Sequence, residues 1–283
     1  MLEDFLEIES AQSFGHYVTL VCPFHESYPV RNSLFVWQDW WKCQSCGKQG
    51  SDHDFLLQAL NSGSTIHFEQ KKFVNPWNKW ISDYGSVFGA CKEAYKSLKT
   101  FPQQKYYLNK RGIPDAEIEK LKLGYLSGWY TIPLLGQDGG LLGGVCRAGE
   151  GFTDQPHKYV TPKGQDNKRI LYVPGGWDQL RTAESVYLTF GILSAVSVYL
   201  NGKTACSTLS GTVLDPLALE EIRKPIYIIP DFKEEAQAYK LADELGWRGH
   251  VLLLEYNDKM LDPNDLYMYD RDRLRRNLDA LPA

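Results

Sequence analysis

Apolar residues fall into different patterns along the chain. After residue 180 they come as short continuous runs, VYLTF, TACSTL, PIYIIPD and HVLLLEY. Between these runs lie stretches with helical spacing: Ile192 to Leu200, PLALEEIRK, and KEEAQAYKLADELG closed by Gly246. Continuous apolar strands alternating with helices predict a parallel sheet covered on both faces. Residues 129–173 read differently, as strands and turns: WYTIPLL, QDGG, LLGGVCRA, HKYVTP and RILYV. The QDGG turn between two apolar runs predicts a hairpin. From Glu93 to Gly124 the pattern is helical, broken at Gly112 and Pro114, with Ile118, Leu121 and Leu123 as the apolar positions of a second short helix. The expected organisation is a cysteine-bearing domain over 1–62 closed by the helical run HDFLLQAL, a linker over 63–95, a basic subdomain over 96–180, the parallel-sheet domain over 181–270, and a charged helical tail over 271–283. The fold class is α/β, α+β overall.

The chain has 283 residues, 43% of them apolar, which suits two or three small domains each with its own core. Its formal net charge of -4 excludes a wholly basic coat for nucleic acid, so any such surface must be local. The best candidate stripe is Arg111, Arg147, Lys158, Lys163, Lys168 and Arg169; the alternative is an ordinary solvated surface. No apolar run reaches the roughly 18 residues of a membrane span. The acidic start MLEDFLEIES lacks the basic region of a signal peptide, which makes the cytoplasm the expected compartment. Gly202-Lys203-Thr204 imitates the end of a phosphate-binding loop, but Ser197 stands where that loop needs its first glycine, so it reads as a helix-to-strand turn.

Six cysteines sharpen the picture. Cys91, Cys146 and Cys206 are scattered, as small buried hydrophobes are. The other three join a histidine: Cys22-Pro-Phe-His25, then 17 residues, then Cys43-Gln-Ser-Cys46. Two close pairs joined by a hairpin predict a closed, tetrahedral, structural Zn²⁺ site. Trp37, Trp40, Trp41, Lys42 and Lys48 lie beside it. They can stack on and neutralise single-stranded nucleic acid, or the tryptophans can pack the small core.

LVCPFHES followed by WKCQSCGKQGSDHDFL resembles the zinc-binding domain of bacterial and phage DnaG-type primases. YLNKRGIPDAEIEKLKLGY is similar to that family's helical segment at the start of the polymerase domain. The strands around Arg147, HKYVTP and ILYVP resemble its basic subdomain, and STLSGT and DPNDL resemble landmarks of its TOPRIM sheet. The resemblance covers roughly residues 12–270. It implies a zinc ribbon followed by a primase-type core, single-stranded DNA as template, ribonucleoside triphosphates as substrates, Mg²⁺ or Mn²⁺ held with nucleotide, and a separate replicative helicase as partner.

The chain departs from that family at its metal carboxylates. Where the family carries a Glu-Gly step with an Asp four residues beyond the Glu, this chain has Phe190-Gly191 and Ser194. Where it carries Asp-x-Asp, this chain has Asp231-Phe232-Lys233. In the third signature Asp262 is retained, Asn264 replaces an acid, and Asp265 is an added one. Asp231, Asp262, Asp265 and Lys233 are therefore the candidate catalytic residues. Three carboxylates against one lysine are few for two divalent ions, though one Mg²⁺ needs only one or two. Asp231 can alternatively cap the following helix, and Asp262 and Asp265 can serve the turn at Pro263. Glu234 and Glu235 read as surface charges at a helix start. Two functions stay open: a primase making short RNA primers in phage or plasmid replication, and a catalytically silent relative that binds DNA or a replication partner.

Overall fold

The computed structural model describes residues 2–8, 10–24, 32–38, 40–61, 75–149, 158–209, 214–231, 234–256 and 259–280. They form two units, one from the described residues up to Asn61 and one from Asn75 onward. Among them no helix is long and apolar enough to cross a membrane.

The first unit is helix α1 (Leu2–Leu6), five strands β1 (Gln12–Ser13), β2 (Tyr17–Val21), β3 (Asn32–Trp37), β4 (Trp41–Cys43) and β5 (Gln49–Gly50), and helix α2 (His53–Asn61). The strands pair in sequence order, all antiparallel. Alternation along β2, β3 and β4 buries Val18, Leu20, Leu34, Val36, Trp41 and Cys43 against Phe5 of α1 and Leu56 and Ala59 of α2. The opposite face carries Tyr17, Phe35, Trp37 and Lys42, placed in register by the pairs Tyr17–Trp37 and Phe35–Lys42. His53 is a core residue: its two ring nitrogens contact the carbonyl oxygens of Ser51 (3.0 Å) and Trp37 (2.9 Å).

The second unit opens with α3 (Pro76–Tyr84) and α4 (Val87–Thr100). The stretch expected to be a linker is thus helical from Pro76 onward. Trp77 is fully buried and donates its indole N–H to the Val160 carbonyl at 3.0 Å. A spacing with tryptophans on only one face of a nine-residue helix is too short to show as a period. Then come α5 (Tyr106–Lys110), α6 (Asp115–Lys120) and an antiparallel sheet β6 (Gly124–Leu126), β7 (Trp129–Leu135), β8 (Leu141–Ala148) and β9 (Tyr159–Val160). β7 and β8 form the expected hairpin across residues 137–140.

After α7 (Trp177–Thr182) the chain builds a parallel sheet in the order β11 (Ala205–Ser207), β10 (Val186–Thr189), β12 (Ile226–Ile229), β13 (Gly249–Val251). Every side chain of β10 and β12 is buried. Tyr187, Tyr227 and Ile229 face one core with helix α8 (Ile192–Leu200); Val186, Leu188, Ile226 and Ile228 face another with α9 (Glu235–Leu245). The run Ile192–Val198 of α8 is buried on all sides, which accounts for its lack of a polar stripe. A short hairpin β14 (Glu255–Tyr256) and β15 (Lys259–Met260) leads to α10 (Pro263–Tyr269) and α11 (Arg271–Asp279).

Two expected elements are shorter than their sequences suggest. PLALEEIRK forms one 3₁₀ turn, Pro216–Leu219; Arg248 Nη1 takes the carbonyls of Leu219 (3.0 Å) and Ile222 (2.6 Å) that a continuing helix would bond internally. HVLLLEY stays in the parallel sheet only as far as Val251, with one further bond from Leu252 N–H to the Ile228 carbonyl, before Glu255 and Tyr256 pair with β15 instead. Its neighbour β12 ends before Pro230, which has no N–H to carry the ladder on.

Candidate functional site

In the first unit, Cys22 follows β2, and Cys43 and Cys46 bracket the turn after β4. Their sulfurs all lie within 4.8 Å of one another, with Cys22 Sγ and Cys46 Sγ 3.9 Å apart. Zn–S bonds of about 2.3 Å at tetrahedral angles put two sulfurs about 3.8 Å apart. The turn also aims amides at the sulfurs: Cys46 N–H at Cys43 Sγ and Phe24 N–H at Cys22 Sγ, each at 3.4 Å. Burial pushes the Cys22 thiol up, opposed by that Phe24 N–H, and neighbouring Cys43 and Cys46 raise it further. Burial works upward on Cys43 too, but the Ser33 hydroxyl and the amides of Cys46 and Ser45 hold it below its ordinary value. Three clustered soft donors fit zinc. His25 lies outside the described residues.

The outer sheet face beside this cluster is an aromatic row. Phe14 stacks on Tyr17 (5.1 Å), Phe35 on Trp37 (5.8 Å), and Trp37 on Trp40 (4.4 Å, 8° between planes). Phe14 and Trp40 are exposed. Trp41 instead points inward, 5% exposed, with its indole N–H on the Asp52 carbonyl at 3.2 Å. Lys48 stands over the Phe24 ring, its ammonium 4.9 Å from the centroid.

In the second unit the ends of β10 and β12 lie side by side, because Thr189 pairs with Ile229. Two residues beyond that pair are Gly191 and Asp231. A Cβ added to Gly191 would sit 3.2 Å from Ser194 Oγ and 3.4 and 3.7 Å from the two Asp231 carboxylate oxygens, so the bare glycine is the floor between them. Phe190 is turned away into the core with Leu188 and Ile228. Asp262 is the N-cap of α10 and accepts the Asp265 N–H at 2.7 Å, so the turn chemistry expected there is present. Asp231 is not the cap of α9; Glu234 holds that position, without a side-chain cap bond.

These acids act on one another. Burial, then the charges of Asp262 and Glu234, raise the Asp231 carboxyl to about 7, against the pull of Lys158. Burial and Asp262 likewise raise Asp265, opposed by Arg111, Lys158 and Arg147. Lys158 is lowered by desolvation and by Arg147 and Arg111, while Asp262 and Asp231 work the other way. Three of the six stripe cations, Arg111, Arg147 and Lys158, therefore stand among the carboxylates. Arg111 Nη1 is 3.6 Å from Asp265 Oδ1. Arg147 is 5% exposed; its Nε donates to the Tyr107 hydroxyl at 2.6 Å and its Nη1 to that of Tyr159. The other three lie apart from that group: Lys163 and Lys168 are exposed, and Arg169 pairs with Asp215 at 2.8 Å. Lys233 and residues 210–212 of STLSGT lie outside the described residues.

Glu234 stands at the start of α9, as the sequence pattern placed it, but it is less exposed than a surface charge. It is half-buried, and its Oε2, like Asp231 Oδ1, is buried without a hydrogen-bond partner among the described residues. Burial raises its carboxyl. Among the described residues no three carboxylates bring ligand atoms within 4.8 Å of one another. The donor set, oxygen-only and partly unsatisfied, suits a hard cation such as Mg²⁺ or Mn²⁺ when other oxygens complete the shell.

The fold matches solved primase structures. The chain superposes on the Aquifex aeolicus primase, zinc-binding and RNA polymerase domains together, with a TM-score of 0.59 and 17% identity, covering 98% of this chain and 82% of that one. The RNA polymerase domain of Mycobacterium tuberculosis primase DnaG, in complex with double-stranded DNA, matches at TM-score 0.56 and 17% identity over 72% of this chain and 80% of that one. A DnaG primase catalytic domain bound to single-stranded DNA matches at 0.54 and 13%, over 70% and 81%. No family model matches the sequence, and no curated protein is similar enough to count as a relative. The chain thus has the fold of DnaG primase zinc-binding and RNA polymerase domains.

Proposed function

We propose that this chain is a DNA primase-type nucleotidyltransferase that binds single-stranded DNA template and joins ribonucleoside triphosphates into short primers in phage or plasmid replication, in the cytoplasm of a bacterial or phage-infected cell. The observation that carries the reading is the opposition of Asp231, Asp262 and Asp265 to Arg111, Arg147 and Lys158 at the C-terminal edge of a parallel sheet, where open α/β folds bind their ligands. Carboxylates facing cations suit a metal–triphosphate complex: the acids hold Mg²⁺ or Mn²⁺, while Lys158, Arg111 and Lys233 meet phosphate oxygens. The metal, when bound, supplies charge neutralisation at the transferring phosphate. Two of the similar structures are complexes with single- or double-stranded DNA, which supports DNA as the partner.

Zn²⁺ on Cys22, His25, Cys43 and Cys46 organises the first domain, residues 1–62, whose row Phe14, Tyr17, Phe35, Trp37 and Trp40 offers stacking faces to unpaired bases, with Lys42 on the same face for phosphate. The basic part, 96–180, and the sheet domain, 181–270, form the core around the acids, and the replicative helicase is a separate chain. The test is primer synthesis on single-stranded DNA with Mg²⁺ and with Mn²⁺: product from the native chain and none from Asp231→Ala is the expected result.

The second reading, a silent relative that binds DNA or a replication partner, is favoured by one observation: Phe190 occupies the position of an acid and is buried in the core, 7% exposed. Absence of product with both metals, together with retained binding to single strands, selects it.

A further inference from the structure

The side chain at position 264 is an amide, and every group of that amide is in use. Asn264 is 3% exposed. Its Nδ2 donates to the Arg111 carbonyl at 3.1 Å and to Ser197 Oγ at 2.9 Å, and its Oδ1 accepts from Arg111 Nη1 at 3.3 Å. Ser197, buried in α8, donates its own O–H to the Leu193 carbonyl at 3.1 Å. One side chain therefore ties α10 to α8 and to the turn after α5. An aspartate here would aim acceptors at a carbonyl and at a hydroxyl whose proton is already committed. The loss of an acid at this position is what the network requires.

The same guanidinium is held from other sides. Its Nη1 is 3.6 Å from Asp265 Oδ1, and its Cζ is 5.8 Å from the Tyr107 ring centroid. Gly112, at φ +79°, closes the turn against α10: a Cβ there would fall 2.4 Å from Tyr267 Cε1. A third of the Arg111 side chain remains exposed. A free surface arginine gives up rotamer freedom when it grips an anion, whereas a held one has given it up already.

We propose that Asn264 is a positioning residue that holds Arg111 as a preset anchor for a phosphate group beside Asp265 and Lys158. This rests on the reading of the carboxylate–cation site given above and deepens it. The phosphate belongs either to a triphosphate or to a nucleic-acid backbone, which offer a guanidinium the same oxygens.

Binding of two probes to the full chain decides between these sources: inorganic tripolyphosphate with Mg²⁺, and an oligo(dT) strand. Arg111→Ala and Asn264→Ala are each expected to weaken the same probe by about tenfold, with the double variant no weaker than Arg111→Ala alone. The probe that responds identifies the source. Asn264→Asp is expected to bind like Asn264→Ala; recovery to native affinity would mark position 264 as a metal ligand and overturn the proposal. Native affinity in Asn264→Ala beside a weak Arg111→Ala, or losses that add in the double variant, also overturns it and leaves the site reading standing. Native affinity of Arg111→Ala for both probes overturns the site reading itself. Where Asn264→Ala fails to fold, Ser197→Ala removes one bond of the amide: a smaller loss on the same probe is expected, and unchanged binding counts against the proposal.

Discussion

Arg147 donates its Nε–H to the Tyr107 hydroxyl at 2.6 Å from a position only 5% exposed. Among the described residues its hydrogen bonds go to phenols and to no carboxylate: Tyr159 accepts from Nη1, and the guanidinium Cζ lies 4.9 Å from the Tyr159 ring centroid. So the cation is part of the second unit's interior. Tyr107→Phe leaves a buried charged donor unmatched and should lower stability by about 1–3 kcal/mol in urea unfolding. Lys158→Ala should reduce the salt slope of single-strand binding by about one, and Tyr107→Phe should leave that slope alone. A slope change in Tyr107→Phe with unaltered stability would put Arg147 on the DNA surface after all.

The three clustered sulfurs predict that the fold of the first unit depends on a metal. Metal analysis should find one zinc per chain. Cys43→Ser, or removal of zinc by a chelator, should abolish amide-exchange protection in β2, β3 and β4, since a sheet of five short strands with one small core gains much of its folding free energy from the ion. Retained protection in the zinc-free chain refutes a structural role.

Asp231 links stability to pH. Its folded pKa, about 7, is above the ordinary carboxylate value, so the folded state holds the proton more tightly than the unfolded one. The proton's contribution is present below the unfolded pKa and is lost as pH rises toward and through about 7. Asp231→Asn removes that dependence. Relative to the native chain it should gain, between pH 5 and pH 8, about 2 kcal/mol after discount for partial exposure. Denaturant titrations at the two pH values giving the same difference would show that Asp231 is an ordinary solvated acid.

The clustering of Cys22, Cys43 and Cys46 and the parallel sheet were legible because each rests on a local rule, paired ligand spacing in one case and continuous apolar runs in the other. Helix α3 was not, because Trp77 and Trp80 are fixed by tertiary partners such as the Val160 carbonyl, more than 80 residues along the chain. The same limit hid Glu234. Its place at a helix start looks like dipole compensation in sequence, and only the fold buries its Oε2 beside Asp231. Asn264 looked like a lost acid; the Ser197 and Arg111 groups that explain it are 67 and 153 positions away. WYTIPLL, LLGGVCRA and the middle of TACSTL were readable as strands. RILYV makes only an isolated bridge, Tyr172 to Ser207, and how far HVLLLEY paired depended on interruptions such as Pro230.

Cation binding should depend on a triphosphate. Asp231 and Glu234 each bury a carboxylate oxygen without a partner among the described residues, which draws a cation in, yet Lys158 acts on Asp231, and Arg111 and Lys158 both act on Asp265. One unit charge about 4 Å away is worth roughly 4 kcal/mol at an effective dielectric of 20, and twice that against a divalent ion. A bare Mg²⁺ or Mn²⁺ therefore meets repulsion comparable to its attraction. A triphosphate reverses this, because its charge pairs with the cations and its oxygens fill the metal's shell. Manganese titrated into the protein alone should keep its free-ion resonance signal, and addition of a ribonucleoside triphosphate should quench that signal beyond the nucleotide's own effect. Asp231→Ala and Asp262→Ala should each remove the excess quenching, and Glu234→Gln should reduce it. Tight binding of two manganese ions without nucleotide would establish an ordinary two-metal site. Excess quenching that survives both alanine substitutions would place the metal elsewhere in the chain.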